Sequence, residues 1–287
     1  EIYGIDYLRR RLADKQTRVL LRYKYYEMKN NAQDFSSLAP EKFKGLKETV
    51  GWCAKAVDSL ADRLQFDEFQ NDEFNLSEIF LSNNQDILID SAVLSALISA
   101  CSFVYIREDN GYPRLQVIDG SNATGIIDPV TNLLTEGYAV LERDSMGVVK
   151  TEAYFMAGMT EIYSHAVLVQ RIPNAAPYAL LVPIIYRPDA KRPFGHSRIS
   201  RACIAYTQTA LRTIKRSEVS AEFYSFPQKY VLGLSEDAEF NNRLAAISSF
   251  LNFTKDGDGD HPIVGQFQQQ SMTPYTEQLR ALASLFL

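Results

Sequence analysis

From Arg198 to Tyr224 the chain runs for about 27 residues without a Pro or a Gly. At about 1.5 Å of rise per residue, a helix of that length spans roughly 40 Å. Helices of globular proteins average about 11–12 residues. A rod this long is poorly suited to an ordinary core and reads as a structural shaft. Ser197, after Gly195 and His196, is the expected N-cap. Pro227 breaks the pattern and a short β-like segment follows. The less polar positions Ile199, Cys203, Tyr206, Ala210, Ile214, Ser217, Ala221 and Tyr224 recur every three or four residues, which makes a narrow stripe on one face. Several of these residues are small, so a second helix could approach closely. The other faces carry Arg198, Arg201, Arg212, Lys215, Arg216, Glu218 and Glu222. A long surface helix of a monomer and a helix that packs on copies of itself in a ring both fit this pattern. The flanking sequence has to separate them.

The 287 residues suffice for one large domain or two ordinary ones. A net charge of −5 argues against a generally basic nucleic-acid binder. It does not argue against a conduit for DNA, because a wall along which DNA slides should not hold phosphates tightly. Cys53, Cys101 and Cys203 are far apart in apolar or helical contexts. They read as buried thiols of a reducing compartment rather than as a disulfide framework. No signal peptide is visible and no apolar run reaches 18 residues, so no membrane role is expected. The chain starts without Met and ends within a helical pattern, so further chain is expected beyond both ends.

Ahead of the shaft, the periodicity predicts helices over about 4–28, from Pro40 to about Leu64, and over Leu76–Ser99, with Arg9–Arg11 facing solvent. The period then changes. Short runs rich in β-branched and aromatic residues, Phe103–Glu108, Tyr112–Ile118, Gly125–Asp128, Thr135–Glu142, Val148–Met156, Met159–Tyr163 and Ala166–Arg171, are separated by turn signals. They predict an antiparallel meander, and Val182–Tyr186 one further strand. Beyond the shaft come strand candidates Lys229–Leu232 and Pro262–Phe267 around a short helix, Ala238–Phe250. A last helix is capped by Ser271 or Thr273 and opened by Pro274. The fold class is therefore α+β, ending in a helix–insert–helix arrangement.

Catalytic signatures are sparse. Asp256, Asp258 and Asp260 stand at the first, third and fifth positions of an EF-hand-like loop, but His261 replaces the required Gly and Phe267 the closing Glu, so a solvated turn is the better reading. Gly195-His196-Ser197 opens like a nucleophile elbow, yet Ile199 stands where the second Gly belongs. His165, His196 and His261 have no metal-ligand spacing. No catalytic residue, cofactor or metal is expected.

Three stretches, in order, resemble the portal proteins of tailed bacteriophages: RYKYYE (Arg22–Glu27), WCAKAVDSLADRLQFDEF (Trp52–Phe69), and the run from Gly195 to Leu234 with its GHSRI opening and its AEFYSFPQ exit. At Ala100-Cys101-Ser102 the Gly often found there in the family is absent. The resemblance implies a ring, usually a dodecamer, at one vertex of the capsid, assembled in the host cytoplasm and retained in the virion. It would be the channel for packaging and ejecting double-stranded DNA. Its partners would be the terminase large subunit, head-completion or adaptor proteins, and the major capsid and scaffolding proteins. Residues 1–195 would form an α+β wing, 196–225 the first stem helix, 226–270 a small α/β clip, and 271–287 the start of the second stem helix. The tunnel loop, the kinked wing helix and the crown would lie beyond the chain. Ile199, Cys203, Tyr206, Ala210, Ile214 and Ala221 would pack subunits together. Phe226, Pro227, Gln228, Lys229 and Tyr230 would meet the motor, and Arg198, Arg201, Arg212, Lys215 and Arg216 would set the channel's electrostatics. The rival reading is a nucleic-acid-processing enzyme working from the basic face of the long helix. It needs clustered carboxylates and a metal.

Overall fold

The structure is a computed structural model that describes residues 2–30, 48–225, 229–232, 263–266 and 271–286. Among these the fold is α+β, and it divides into two compact units. The first comprises Glu1–Asn30 and Gly51–Ile204, the second Asn31–Val50 and Ala205–Leu287. The expected polar loop after residue 28, the Pro40 helix start, the Ala238–Phe250 helix and the Asp256–His261 turn lie outside the described residues.

The first unit opens with α1 (Ile5–Tyr26) and α2 (Trp52–Ala61), followed by α3 (Leu76–Ser82) and α4 (Gln85–Ser99). Two expected helices are shorter than their periodicity implied. Residues 48–51 are not helical, and Gly51 stands as the N-cap of α2 (φ −83°, ψ 18°). The predicted helix over Leu76–Ser99 is broken at Asn83-Asn84. Asn84 takes a left-handed conformation (φ 52°), which Asn tolerates better than most residues. The Asn83 amide donates to the carbonyls of Ile79 (2.7 Å) and Pro113 (3.0 Å), and its oxygen accepts the Leu115 N–H (3.0 Å). One side chain thus terminates α3 and ties it to a neighbouring strand, a contact hydrophobic spacing cannot reveal.

The strands are β1 (Cys101–Asp109), β2 (Tyr112–Ile118), β3 (Ala123–Ile127), β4 (Leu134–Arg143), β5 (Val149–Met156), β6 (Met159–Ser164), β7 (Val167–Pro173) and β8 (Leu181–Ile185). The meander exists, but in two sheets rather than one. β3 to β7 form a five-stranded antiparallel sheet in chain order, and β8 returns beside β1 to give a second sheet ordered β2-β1-β8.

Both faces of the central strands are covered, and the sequence explains how. On one face, Ala139 and Ala153, with Phe155, meet Phe103, Tyr105 and Leu181 of the second sheet. Tyr105 and Phe155 pack edge-to-face at 5.0 Å. Gly137 sits so close to Leu181 that a Cβ would come within 3.0 Å of its side chain. On the other face, Tyr138, Val140 and Tyr154 pack on Leu8 and Leu12 of α1. No helix among the described residues is long and apolar enough to cross a membrane.

In the second unit, the portion of α5 (Arg201–Ser225) beyond Ile204 is followed by β9 (Lys229–Leu232), which pairs antiparallel with β10 (Ile263–Gln266), and by α6 (Thr273–Phe286).

Candidate functional site

The long helix α5 is continuous for 25 residues, but it starts three residues later than its pattern suggested. Ser200, not Ser197, caps it: the Ser200 hydroxyl accepts the Cys203 N–H (3.1 Å) and the Ser200 carbonyl the Ile204 N–H (3.1 Å). The Ser197 hydroxyl instead donates to the Ile98 carbonyl at the end of α4 and accepts the Ile199 N–H (3.0 Å). That bonding ties Ser197 to the end of α4. His196 likewise turns to Asp189, Nε2 to Oδ2 at 2.6 Å, which holds that carboxyl below its usual range. Gly195 (φ 73°) is required by geometry, since a Cβ there would lie 2.2 Å from the Tyr186 carbonyl oxygen.

The residues expected to pack subunits together divide into two groups. Ile199, Cys203 and Ala210 are buried within the single chain. Tyr206, Ile214 and Ala221 remain partly exposed. Thr207 and Leu211 are fully buried and were missed by the sequence reading. The missed signal is the set 203, 207, 210, 211, 214, a cleaner helical period than one passing through Tyr206.

The expected basic face is also uneven. Arg198 precedes the helix; it is exposed, and its Nε donates to the Ala56 carbonyl of α2 (2.9 Å). Arg201 and Arg216 are exposed, and Arg212 is partly buried and donates to the Thr209 hydroxyl (3.2 Å). Lys215 is buried within the single chain. Phe226, Pro227 and Gln228 lie outside the described residues. Lys229 and Tyr230 fall in β9, opposite Gln266 and Gly265 of β10.

The first two stretches that carried the resemblance and the opening of the third, Gly195–Ile204, meet in space within the first unit. The Tyr26 hydroxyl donates to Asp58 of α2 (2.9 Å), and Arg22 donates to the Ser99 carbonyl (2.9 Å). Cys53 of α2 faces Cys203 at the start of α5. They make one junction of α1, α2, the end of α4 and the first turn of the long helix. Within the second unit, the Ser220 hydroxyl lies 2.8 Å from the Tyr275 hydroxyl. This contact joins the late part of α5 to the first turn of α6.

One further constellation was not anticipated. Glu136, Glu152 and Glu161 are buried on three successive strands, on the α1 side of the sheet. Tyr154 donates to Glu136 (2.6 Å), Tyr138 to Glu152, and Tyr163 to Glu161 (2.7 Å). Arg9, expected to face solvent, turns inward onto Glu152, and Arg171 bonds Glu161 (2.9 Å). Burial, reinforced by the acidic partners, makes the Tyr138 and Tyr154 phenols hold their protons well above the usual phenol range and pushes the pKa of Tyr163 up to about 12. The signal was present as a triple Glu-x-Tyr repeat: Glu136-Gly137-Tyr138, Glu152-Ala153-Tyr154 and Glu161-Ile162-Tyr163. With every carboxylate already receiving phenol, guanidinium or backbone N–H donors, the array acts as a polar clamp. No group of three His, Cys, Asp or Glu side chains able to hold a metal occurs among the described residues.

No family model matches this chain, and no curated protein matches it.

Proposed function

We propose that this chain is part of a portal protein of a tailed bacteriophage, a ring-forming subunit that lines a conduit for double-stranded DNA. The observation that carries the reading is the helix–insert–helix arrangement. An unbroken 25-residue helix leads into an antiparallel strand pair, and a second helix returns to it through Ser220 and Tyr275. At about 1.5 Å per residue the first helix is roughly 37 Å long. The meeting of Tyr26 with Asp58, of Arg198 with Ala56 and of Cys53 with Cys203 supports it further, since it joins the first two stretches to the opening of the third within the first unit.

In this reading α5 and α6 are stem helices, the segment around β9 and β10 is the clip that meets the terminase large subunit and the head-completion protein, and the α+β unit is the wing that meets capsid and scaffolding proteins. Chemical energy comes from the separate terminase. A head-to-tail interface whose rotation closes produces such a ring. The buried carboxylates are engaged as a clamp, and this favours a conduit over the rival enzyme reading.

The test is imaging of the full-length gene product, with mass photometry alongside. Rings with a central hole, of about a dozen subunits, are the expected result. A protein that stays monomeric at micromolar concentration in low salt, or one that cleaves nucleic acid in magnesium and loses that activity on a single carboxylate substitution, overturns it.

A further inference from the structure

Cys53 stands on the first turn of α2 and Cys203 on the first turn of α5, with about 150 residues between them. Their Sγ atoms are 3.1 Å apart. No cysteine of the chain is in a disulfide, and all three are buried. A disulfide has an S–S distance of about 2.05 Å, so bond formation needs only about 1 Å of further approach. Both residues belong to the same compact unit. The third thiol, Cys101, opens β1 and packs in the core between the two sheets.

We propose that Cys53 and Cys203 are a modification site, a dithiol that exchanges with low-molecular-weight disulfides to form a reversible intramolecular bond. Cys203 retains slight exposure whereas Cys53 has none, which makes Cys203 the sulfur that reacts first. Its thiolate, having given its proton to solvent, attacks one sulfur of the small disulfide. A mixed disulfide forms and one small thiolate leaves. The Cys53 thiolate then attacks the Cys203 sulfur and expels the second small thiolate. Two protein thiols are oxidised, one small disulfide is reduced to two thiols, and the released protons return to the thiolates that left.

The neighbouring thiol and burial both hold the Cys203 proton more tightly than usual. The thiolate is the attacking species, so exchange in the folded protein is slow. Once formed, the bond ties α2 to the first turn of the long helix, at the junction where Arg198 already donates to Ala56. A closed loop of this length strongly restricts the unfolded chain. The dithiol and the tied junction do not depend on the portal reading, because both sulfurs lie within one unit of one chain.

The experiment incubates the reduced full chain for a day with millimolar oxidised glutathione, denatures it in iodoacetamide, and maps the peptides by mass spectrometry. The expected result is a Cys53–Cys203 cross-linked peptide, alkylation of Cys101 alone, reversal by dithiothreitol, and a Tm higher by roughly 5 °C or more in the oxidised form. Cys203→Ser removes the shift. If that variant fails to fold, the wild-type peptide map decides by itself. Three alkylated cysteines, a bridge through Cys101, or only a stable glutathione adduct overturns the proposal. Ring imaging of the same sample reports separately on the portal reading.

Discussion

The Tyr154 hydroxyl donates to the Glu136 carboxylate at 2.6 Å, and that carboxylate also accepts the backbone N–H groups of Tyr3 (2.8 Å) and Gly4 (2.9 Å). Gly4, the N-cap of α1, has no side chain with which to cap the helix. A glutamate from a strand some 130 residues away does so instead, with its charge beside the positive end of the helix dipole. Glu136→Ala is expected to destabilise the fold by about 1–3 kcal/mol, because two N–H groups and a buried phenol lose their acceptor together. Tyr154→Phe is expected to cost only about 1 kcal/mol, since the backbone donors remain. Urea denaturation of the two variants checks the order.

Arg9 and Glu152 are more buried than Arg171 and Glu161, the clamp's other Arg–Glu pair, with Glu152 almost wholly covered. Glu152→Ala leaves the Tyr138 hydroxyl without its acceptor and the partly buried Arg9 guanidinium with only the exposed Asp6, and a loss of about 3 kcal/mol is expected. The double variant Arg9→Met with Glu152→Leu is expected to lose less, because an apolar pair removes both desolvation penalties. Equal losses in the two variants, measured by thermal and urea unfolding, would contradict this account.

Tyr163 carries the alkaline prediction. Burial first, and the bond to Glu161 second, push its phenol up to about 12, whereas an unfolded tyrosine titrates near about 10. The folded state therefore holds the proton over a range in which the unfolded state has released it. The resulting stability is fully present below about pH 10 and is lost as pH rises from about 10 towards about 12. Tyr163→Phe should flatten the fall in stability over that window. Phenolate absorbance of the native protein should show a late-titrating group that the variant lacks.

Ala100 joins α4 to β1 with φ +91°, a conformation that L side chains rarely adopt. A Gly here would take it without strain. Ala100→Gly is expected to be neutral or stabilising by up to about 1 kcal/mol: relief of about 1–2 kcal/mol of backbone strain outweighs the lost methyl burial. Ala100→Val should destabilise strongly, as a β-branched residue fits this region worst. Tm values of the two variants test the sign.

Much of the fold was legible from local pattern. The eight strands of the first unit, α1, the unbroken run of α5 and the opening of α6 follow from periodicity and from turn residues. What escaped was set by single long-range contacts. Asn83 ends α3 by bonding β2, and Ser197 leaves its expected cap because the Ile98 carbonyl is within reach. The packing face of α5 was assigned through Tyr206, although Thr207 and Leu211 are the covered positions. A chain read alone supplies the period of a helix more readily than the phase at which neighbours cover it. The Glu-x-Tyr repeat was visible in the sequence, but its meaning required the register that sets Tyr138 opposite Tyr154 and Glu152 opposite Tyr163.

Elements, their order and the α+β class are properties of the sequence, because backbone propensity and hydrophobic period act over a few residues. The tertiary structure decided which carboxylate caps α1, which serine starts the long helix, and which two thiols meet. Each of those depends on bringing together residues separated by some 100 to 150 positions, and no local free-energy term reaches that far along a chain.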